Sequence, residues 1–190
     1  MQQNSIIKCE KDKNIYMKTK LFALIFTIFM SVFLVLGINF LYNIMYPVKY
    51  ENVIYKYCSV FGVERELVFA LINAESSFDV YAVSSVGAKG LMQLLPSTAE
   101  YIARKISYKN DINLFNVDCN LNLGIAYISY LQNIFSTLDE VICAYNAGEG
   151  VVREWIKQSH DDKLEIRFDE TKNYLNKVKY GIEIYSKKLS

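Results

Sequence analysis

The sequence predicts a mainly α-helical protein, with one apolar N-terminal helix followed by a compact helical domain. Three observations carry this. Only two prolines, Pro47 and Pro96, interrupt the 190 residues, and proline is the strongest helix breaker. Apolar side chains recur at intervals of three and four, as at Leu121, Ile125, Ile128, Leu131 and Phe135, the spacing of a helix buried along one face. Alternating strand patterns are nearly absent, while residues 21–45 contain no charged side chain.

The elements follow in chain order. Residues 1–20 form a basic tail, with Lys8, Lys11, Lys13, Lys18 and Lys20 against Glu10 and Asp12. The uncharged run 21–45 exceeds the roughly 20 residues that cross a bilayer core. Positive flanking charge favours the cytoplasmic side, so the tail is expected inside and residues 46–190 outside. A cleaved signal peptide is the rival reading. The run is long for one, and Gly37 to Tyr42 offer no small-x-small cleavage site. An uncleaved, single-pass membrane anchor is therefore expected.

Residues 46–190 are enough for one ordinary core. Helices are expected over 50–61, 64–77, 96–107, 119–135, 138–147, 149–158 and 170–187. Pro96 suits a first helical turn, and Asp169-Glu170 places acid at a helix N-terminus. The stretch 79–95 holds Ser84, Ser85, Gly87 and Gly90, which favour turns. The region 159–169 reads as a charged loop holding the lone histidine, His160, as a solvated residue.

Composition narrows the chemistry. Apolar residues make up 52% and charged residues 22%, which describes a globular chain and not a disordered one. The formal net charge of +1 leaves no basic excess for a nucleic-acid backbone, which argues against nucleic acid as a partner. One histidine excludes a His-rich zinc site. The cysteines, Cys9, Cys58, Cys119 and Cys143, form no CxxC pair, and Cys58 and Cys143 read as small core residues. No metal cluster or phosphate loop appears, so no cofactor is implied.

One residue stands on the wrong face. On a helix starting at Glu64, about 100° per residue places Leu67, Val68, Leu71 and Ile72 on one apolar arc. Glu75 falls inside that arc, one turn after Leu71, beside the small Ala70 and Ala74. Desolvation penalises an ionised carboxylate, so its pKa is expected to rise from about 4.3 toward about 6–7, as suits a general acid. A helix-end glutamate bending back to solvent is the structural alternative.

The segments around and beyond Glu75 resemble the catalytic domain of the soluble lytic transglycosylase family, within the lysozyme-like superfamily. Glu75-Ser76 matches the family's glutamate-serine pair at a helix end. Gly90-Leu91-Met92-Gln93 with Pro96-Ser97-Thr98-Ala99 matches its Gly-Leu-Met-Gln and Pro-x-Thr-Ala elements. Ala144 to Gly148 match an Ala-Tyr-Asn-Ala-Gly segment, and Phe168, Glu170, Thr171 and Tyr174 match a Phe-x-Glu-Thr-x-x-Tyr element. The four matches run in the family's order over about residues 50–188. Two departures stand out. Asp79-Val80 replaces a frequent Asn-Pro, and Leu95 replaces a methionine while keeping an apolar wall.

The resemblance implies a helical, lysozyme-like domain with a substrate groove. It also implies non-hydrolytic cleavage of the β-1,4 bond between N-acetylmuramic acid and N-acetylglucosamine in peptidoglycan glycan strands. Glu75 would act as acid and then base, and the product would end in 1,6-anhydromuramic acid. The implied sugar-contacting residues are Ser84, Gln93, Tyr145, Asn146 and Tyr174. Tyr145 is placed to orient the acid or substrate, and Tyr174 to shape the groove. Either tyrosine could instead be a core aromatic, and Glu170 a ligand or a helix-start acid. Asp79 could cap a turn or handle water, which keeps a goose-type-lysozyme-like hydrolase open. An inactive peptidoglycan-binding domain is the third reading.

Overall fold

The computed structural model describes residues 2–159 and 163–190, with side chains from Tyr16 onward. His160 lies outside the described residues. The chain forms two compact units, Met1–Met45 and Tyr46–Ser190.

The first unit is a single helix, α1 (Gln2–Met45). Its part Tyr16–Met45 is long and apolar enough to cross a membrane, and none of its most apolar stretch is buried by protein. Within it the hydroxyls of Thr27 and Ser31 donate to the carbonyls of Leu24 and Ile28 at 2.8 and 2.7 Å. That internal pairing is what a polar side chain in hydrocarbon requires.

The second unit contains seven helices among its described residues: α2 (Glu51–Phe61), α3 (Arg65–Ser76), α4 (Pro96–Lys105), α5 (Val117–Gln132), α6 (Leu138–Ala147), α7 (Glu149–Gln158) and α8 (Asp169–Lys188). These are the expected elements, displaced at their ends by a few residues. Local chemistry explains several boundaries. Pro96 opens α4 at its first turn. Asp169 and Glu170 begin α8, and Lys187 and Lys188 end it, both matched to the helix dipole. Thr137 and Glu140 form a reciprocal capping box at the start of α6, which explains why Glu140 is buried.

The core centres on α5 and α3. Leu121, Leu123, Ile125 and Ile128 of α5 and Val68, Phe69 and Ile72 of α3 are wholly buried. Helix α8 packs on α3 through Gly181, where an added Cβ would come within 3.0 Å of the Ala70 Cβ. A side chain there would force these helices apart, and with them Glu75 and Tyr174. Cys58, Cys119 and Cys143 are buried and unpaired, and burial pushes the Cys58 thiol up to about 12 and Cys143 to about 11.

The turn-rich stretch 79–95 folds back on itself. Lys89 bridges Val83 on one side and Leu94 on the other. Asn120 of α5 fastens this loop to the core. Its carbonyl accepts from the Met92 N–H at 2.9 Å, and its amide donates to the Lys89 and Leu114 carbonyls at 3.0 and 2.9 Å. Gly90 lies against the same asparagine, at φ 76, and a Cβ there would collide with Leu114 O and the Asn120 amide.

Candidate active site

Glu75 occupies the last turn of α3, facing the core as its helical position predicts. Immediately after it the chain turns sharply. Ser77 and Phe78 both hold positive φ, 51° and 66°. For a bulky, buried residue such as Phe78 this is a strained conformation, costing on the order of 1–3 kcal/mol. It ends the helix so that the carboxyl is left at a cleft. Ser76 ties this corner to the loop, donating to the Leu91 carbonyl at 2.7 Å.

The carboxyl has one strong protein partner. Tyr174, on α8, donates its hydroxyl to Glu75 Oε1 at 2.5 Å. Burial pushes the Glu75 carboxyl up from 4.5 to about 7, against the opposing pull of the Tyr174 hydrogen bond and the Lys177 ammonium. Lys177 is itself held nearby by donating to the Ala74 carbonyl at 2.8 Å. Burial, followed by the charge of Glu75, keeps the Tyr145 and Tyr174 phenols well above their usual range. Both hydroxyls therefore remain protonated donors.

A cleft of 330 Å³ opens over Glu75, and its walls include Ser84, Gln93, Tyr145, Asn146 and Glu170. Five of the six expected site residues thus line one cavity. The sixth, Tyr174, is not among the lining residues and touches one of them, Glu75, by its hydroxyl. It is Tyr174 that meets the Glu75 carboxyl, while Tyr145 donates to the Met92 carbonyl at 2.7 Å and lines the cleft. Tyr174 stands on α8, which packs on α3, whereas Tyr145 lies in the last turn of α6 and reaches the 79–95 loop at Met92.

The other positions are fixed by backbone and neighbouring side chains. Gln93 sits at φ 47 and donates its amide to the Ala82 and Gly90 carbonyls at 3.0 and 2.9 Å. Its amide donor group is thereby anchored, and its oxygen is the end left to accept. Ser84 Oγ accepts from the Ala88 N–H at 3.0 Å, which leaves its proton to donate. Asn146 Oδ1 accepts from Thr171 at 2.9 Å, so its NH₂ is the free end.

Asp79 caps a turn. Its Oδ1 accepts from the Tyr81 N–H at 2.9 Å, the side chain is exposed, and it is not among the cleft-lining residues. Glu170 is the other carboxylate on the cleft and is exposed. Glu149 accepts from Tyr130 at 2.9 Å and pairs with Arg153 at 3.0 Å in the first turn of α7. No group of three potential ligands is placed to hold a metal ion among the described residues.

Three positions escaped the sequence reading. Asn120 gave one signal, a polar residue inside an apolar helical stripe. Tyr127 lines the cleft and packs on Tyr145 at 5.3 Å, but nothing distinguished it among fifteen tyrosines. Thr171 stood in a matched motif without an assigned part.

The Transglycosylase SLT domain family matches residues 52–168. The soluble lytic murein transglycosylase of Escherichia coli K12 is 31% identical over 148 residues, covering 70% of this chain and 22% of the relative. The membrane-bound lytic murein transglycosylase C of Yersinia pestis (strain Pestoides F) is 36% identical over 127 residues, covering 60% of this chain and 35% of the relative. Among solved structures, an inactive glutamate-to-glutamine mutant of the lytic transglycosylase Slt from Pseudomonas aeruginosa superposes with a TM-score of 0.71. It is 33% identical and covers 77% of this chain and 25% of that one. The chain spans about a third or less of the length of these relatives. The family match takes in Glu75, the fold-back loop, the end of α6 and Phe168, and it places this chain in the SLT transglycosylase domain family.

Proposed function

We propose that this protein is a membrane-tethered peptidoglycan lytic transglycosylase in which Glu75 serves as both acid and base. The observation that carries the reading is the buried Glu75 carboxyl, bonded to Tyr174 and pushed up to about 7 by burial, opening on a cleft walled by hydrogen-bonding side chains. Protonated Glu75 donates to the glycosidic oxygen between N-acetylmuramic acid and N-acetylglucosamine. Positive charge develops at the anomeric carbon as that bond breaks. The muramic acid C6 hydroxyl attacks this carbon, and ionised Glu75 takes its proton. The products are a 1,6-anhydromuramic acid end and a free N-acetylglucosamine hydroxyl, with Glu75 protonated again. No second carboxylate is required, because the nucleophile belongs to the substrate and is already close.

In this reading Tyr174 orients the carboxyl and steadies its ionised form. Gln93, Ser84 and Asn146 offer an acceptor and donors to the sugars, and Tyr145 forms the wall. The test of activity is release of soluble glycan fragments from purified peptidoglycan by the full chain in detergent. Absence of release from several wall preparations would leave a binding module.

The pH dependence follows from Glu75. The first step needs the protonated carboxyl, so kcat/KM is expected to fall as pH rises through about 7. Tyr174→Phe removes a bond that favours the carboxylate, so the falling limb should move upward, by up to about one pH unit. An unmoved limb would show that the tyrosine does not tune the acid.

We also assign residues 46–190 to the outer face, with 21–45 spanning the membrane and 1–20 in the cytoplasm. The apolar Tyr16–Met45 and the lysines of the tail support this. In intact protoplasts, added protease should remove a tag fused after Ser190 and spare one fused before Met1. The reverse pattern would overturn the orientation.

A further inference from the structure

Helix α8 meets the end of α3 through one stripe of side chains. Tyr174, Lys177 and Gly181 follow one another at steps of three and four positions, on one face of the helix. In that order they touch Glu75, Ala74 and Ala70, so the two helices run antiparallel. Tyr174 donates to the Glu75 carboxyl, the Lys177 ammonium donates to the Ala74 carbonyl at 2.8 Å, and Gly181 packs on the Ala70 side chain. Two adjacent residues of α3 are therefore held by two residues one turn apart on α8.

The grip falls where α3 is least hospitable to an anion. The last carbonyls of a helix carry its negative end. Glu75 lies in that last turn, so its carboxylate form meets an opposing dipole as well as a dry site. The last turn of α3 holds no basic residue of its own. The carbonyls on either side are served by the backbone, Asn73 by the Ser77 N–H at 3.2 Å and Ser76 by the Asp79 N–H at 3.0 Å. Lys177 supplies from α8 the cation that α3 lacks. It forms no ion pair among the described residues, so its charge is not spent on another carboxylate. The cleft offers no substitute. Its lining includes no lysine or arginine, and its other titratable groups are Tyr127 of α5, Tyr145 of α6 and Glu170 of α8. The fold-back loop brings only the neutral Ser84 and Gln93 among its polar side chains.

Resting on the proposed function, we infer that Lys177 is a positioning residue of the reaction, which holds the turn carrying Glu75 and supplies the positive charge that its carboxylate meets between the two proton transfers. When Glu75 gives its proton to the glycosidic oxygen and the bond to the anomeric carbon breaks, an anion is left in a desolvated site. Tyr174 offers that anion a neutral hydrogen bond, and Lys177 adds a full charge. Lys177 does not line the cleft, and no proton leaves it. It steadies the carboxylate until the muramic acid C6 hydroxyl returns a proton.

The test compares the parent, Lys177→Met and Lys177→Arg, each as the full chain in detergent. Cleavage of purified peptidoglycan is followed across about pH 5–9, in about 10 mM and about 0.5 M salt. The Lys177 charge favours the carboxylate, so at low salt Lys177→Met should move the falling limb of kcat/KM upward by about half a pH unit. It should lower kcat at least about threefold with little change in KM, and Lys177→Arg should restore both. The ammonium is exposed, so high salt should carry the parent's limb toward that of Lys177→Met and leave the variant's limb in place. A merely structural role would lower activity without moving the limb. A limb that Lys177→Met leaves unmoved at low salt, or that Lys177→Arg does not restore, would overturn the inference while leaving the glycan-cleaving reading intact. A parent that cleaves nothing would overturn that reading and this inference with it.

Discussion

Glu75→Gln is expected to lower kcat/KM on peptidoglycan by at least about 10³-fold, since general acid–base assistance alone supplies about 10²–10⁴ and one group here serves both steps. Glutamine keeps the shape and still accepts from Tyr174, but it has no proton to give and no base to offer. The same substitution should stabilise the fold at neutral and higher pH. The carboxyl titrates near 4.5 when unfolded and near 7 when folded. Between these values the folded chain binds more protons, so stability is full below about 4.5 and falls as pH rises through 7. A shift of this size corresponds to roughly 3 kcal/mol. In denaturant titrations Glu75→Gln should therefore exceed the parent by a margin that is largest at pH 8 and vanishes toward pH 4. Equal stabilities at both pH values would mean that the carboxyl is not held in a desolvated site.

The largest expected loss of stability comes from a residue that never meets the substrate. Asn120→Leu is expected to cost about 3–4 kcal/mol. It strips the buried Met92 N–H of its acceptor and the Leu114 carbonyl of a donor, and each orphaned buried group costs about 1–3 kcal/mol. The Lys89 carbonyl suffers less, because the Leu94 N–H also reaches it at 3.1 Å. The loop that carries Gln93 would lose its fastening, so activity should fall more than stability at permissive temperature would explain. Denaturant titration beside a cleavage assay separates the two. A loss below about 1 kcal/mol would mean that Asn120 is not the fastening point.

The helical framework was legible because it is local. Periodicity located α5, proline and acid located the starts of α4 and α8, and the arc of α3 marked Glu75 as a carboxyl facing the wrong way. Partners across the fold were not legible in this way. Tyr174 is 99 positions from Glu75, and only packing of α8 on α3 through Gly181 decides that it, and not Tyr145, meets the acid. Asn120 and Tyr127 depend likewise on which face of α5 meets the 79–95 loop. Asp79 shows the converse. Adjacency in sequence suggested a second carboxylate at the site, and the turn after Phe78 carries it out to solvent.

The most direct test of Glu75 acting alone, with the sugar's own hydroxyl as nucleophile, is a mass spectrum of the glycan ends. Purified peptidoglycan is digested with the full chain and, in parallel, with Glu75→Gln. The expected result is anhydromuramic ends, one water lighter than hydrolysed ends, and their absence with the variant. Reducing ends carrying the mass of added water would contradict it and would make Glu170, the second carboxylate on the cleft, the residue to examine as the base for water.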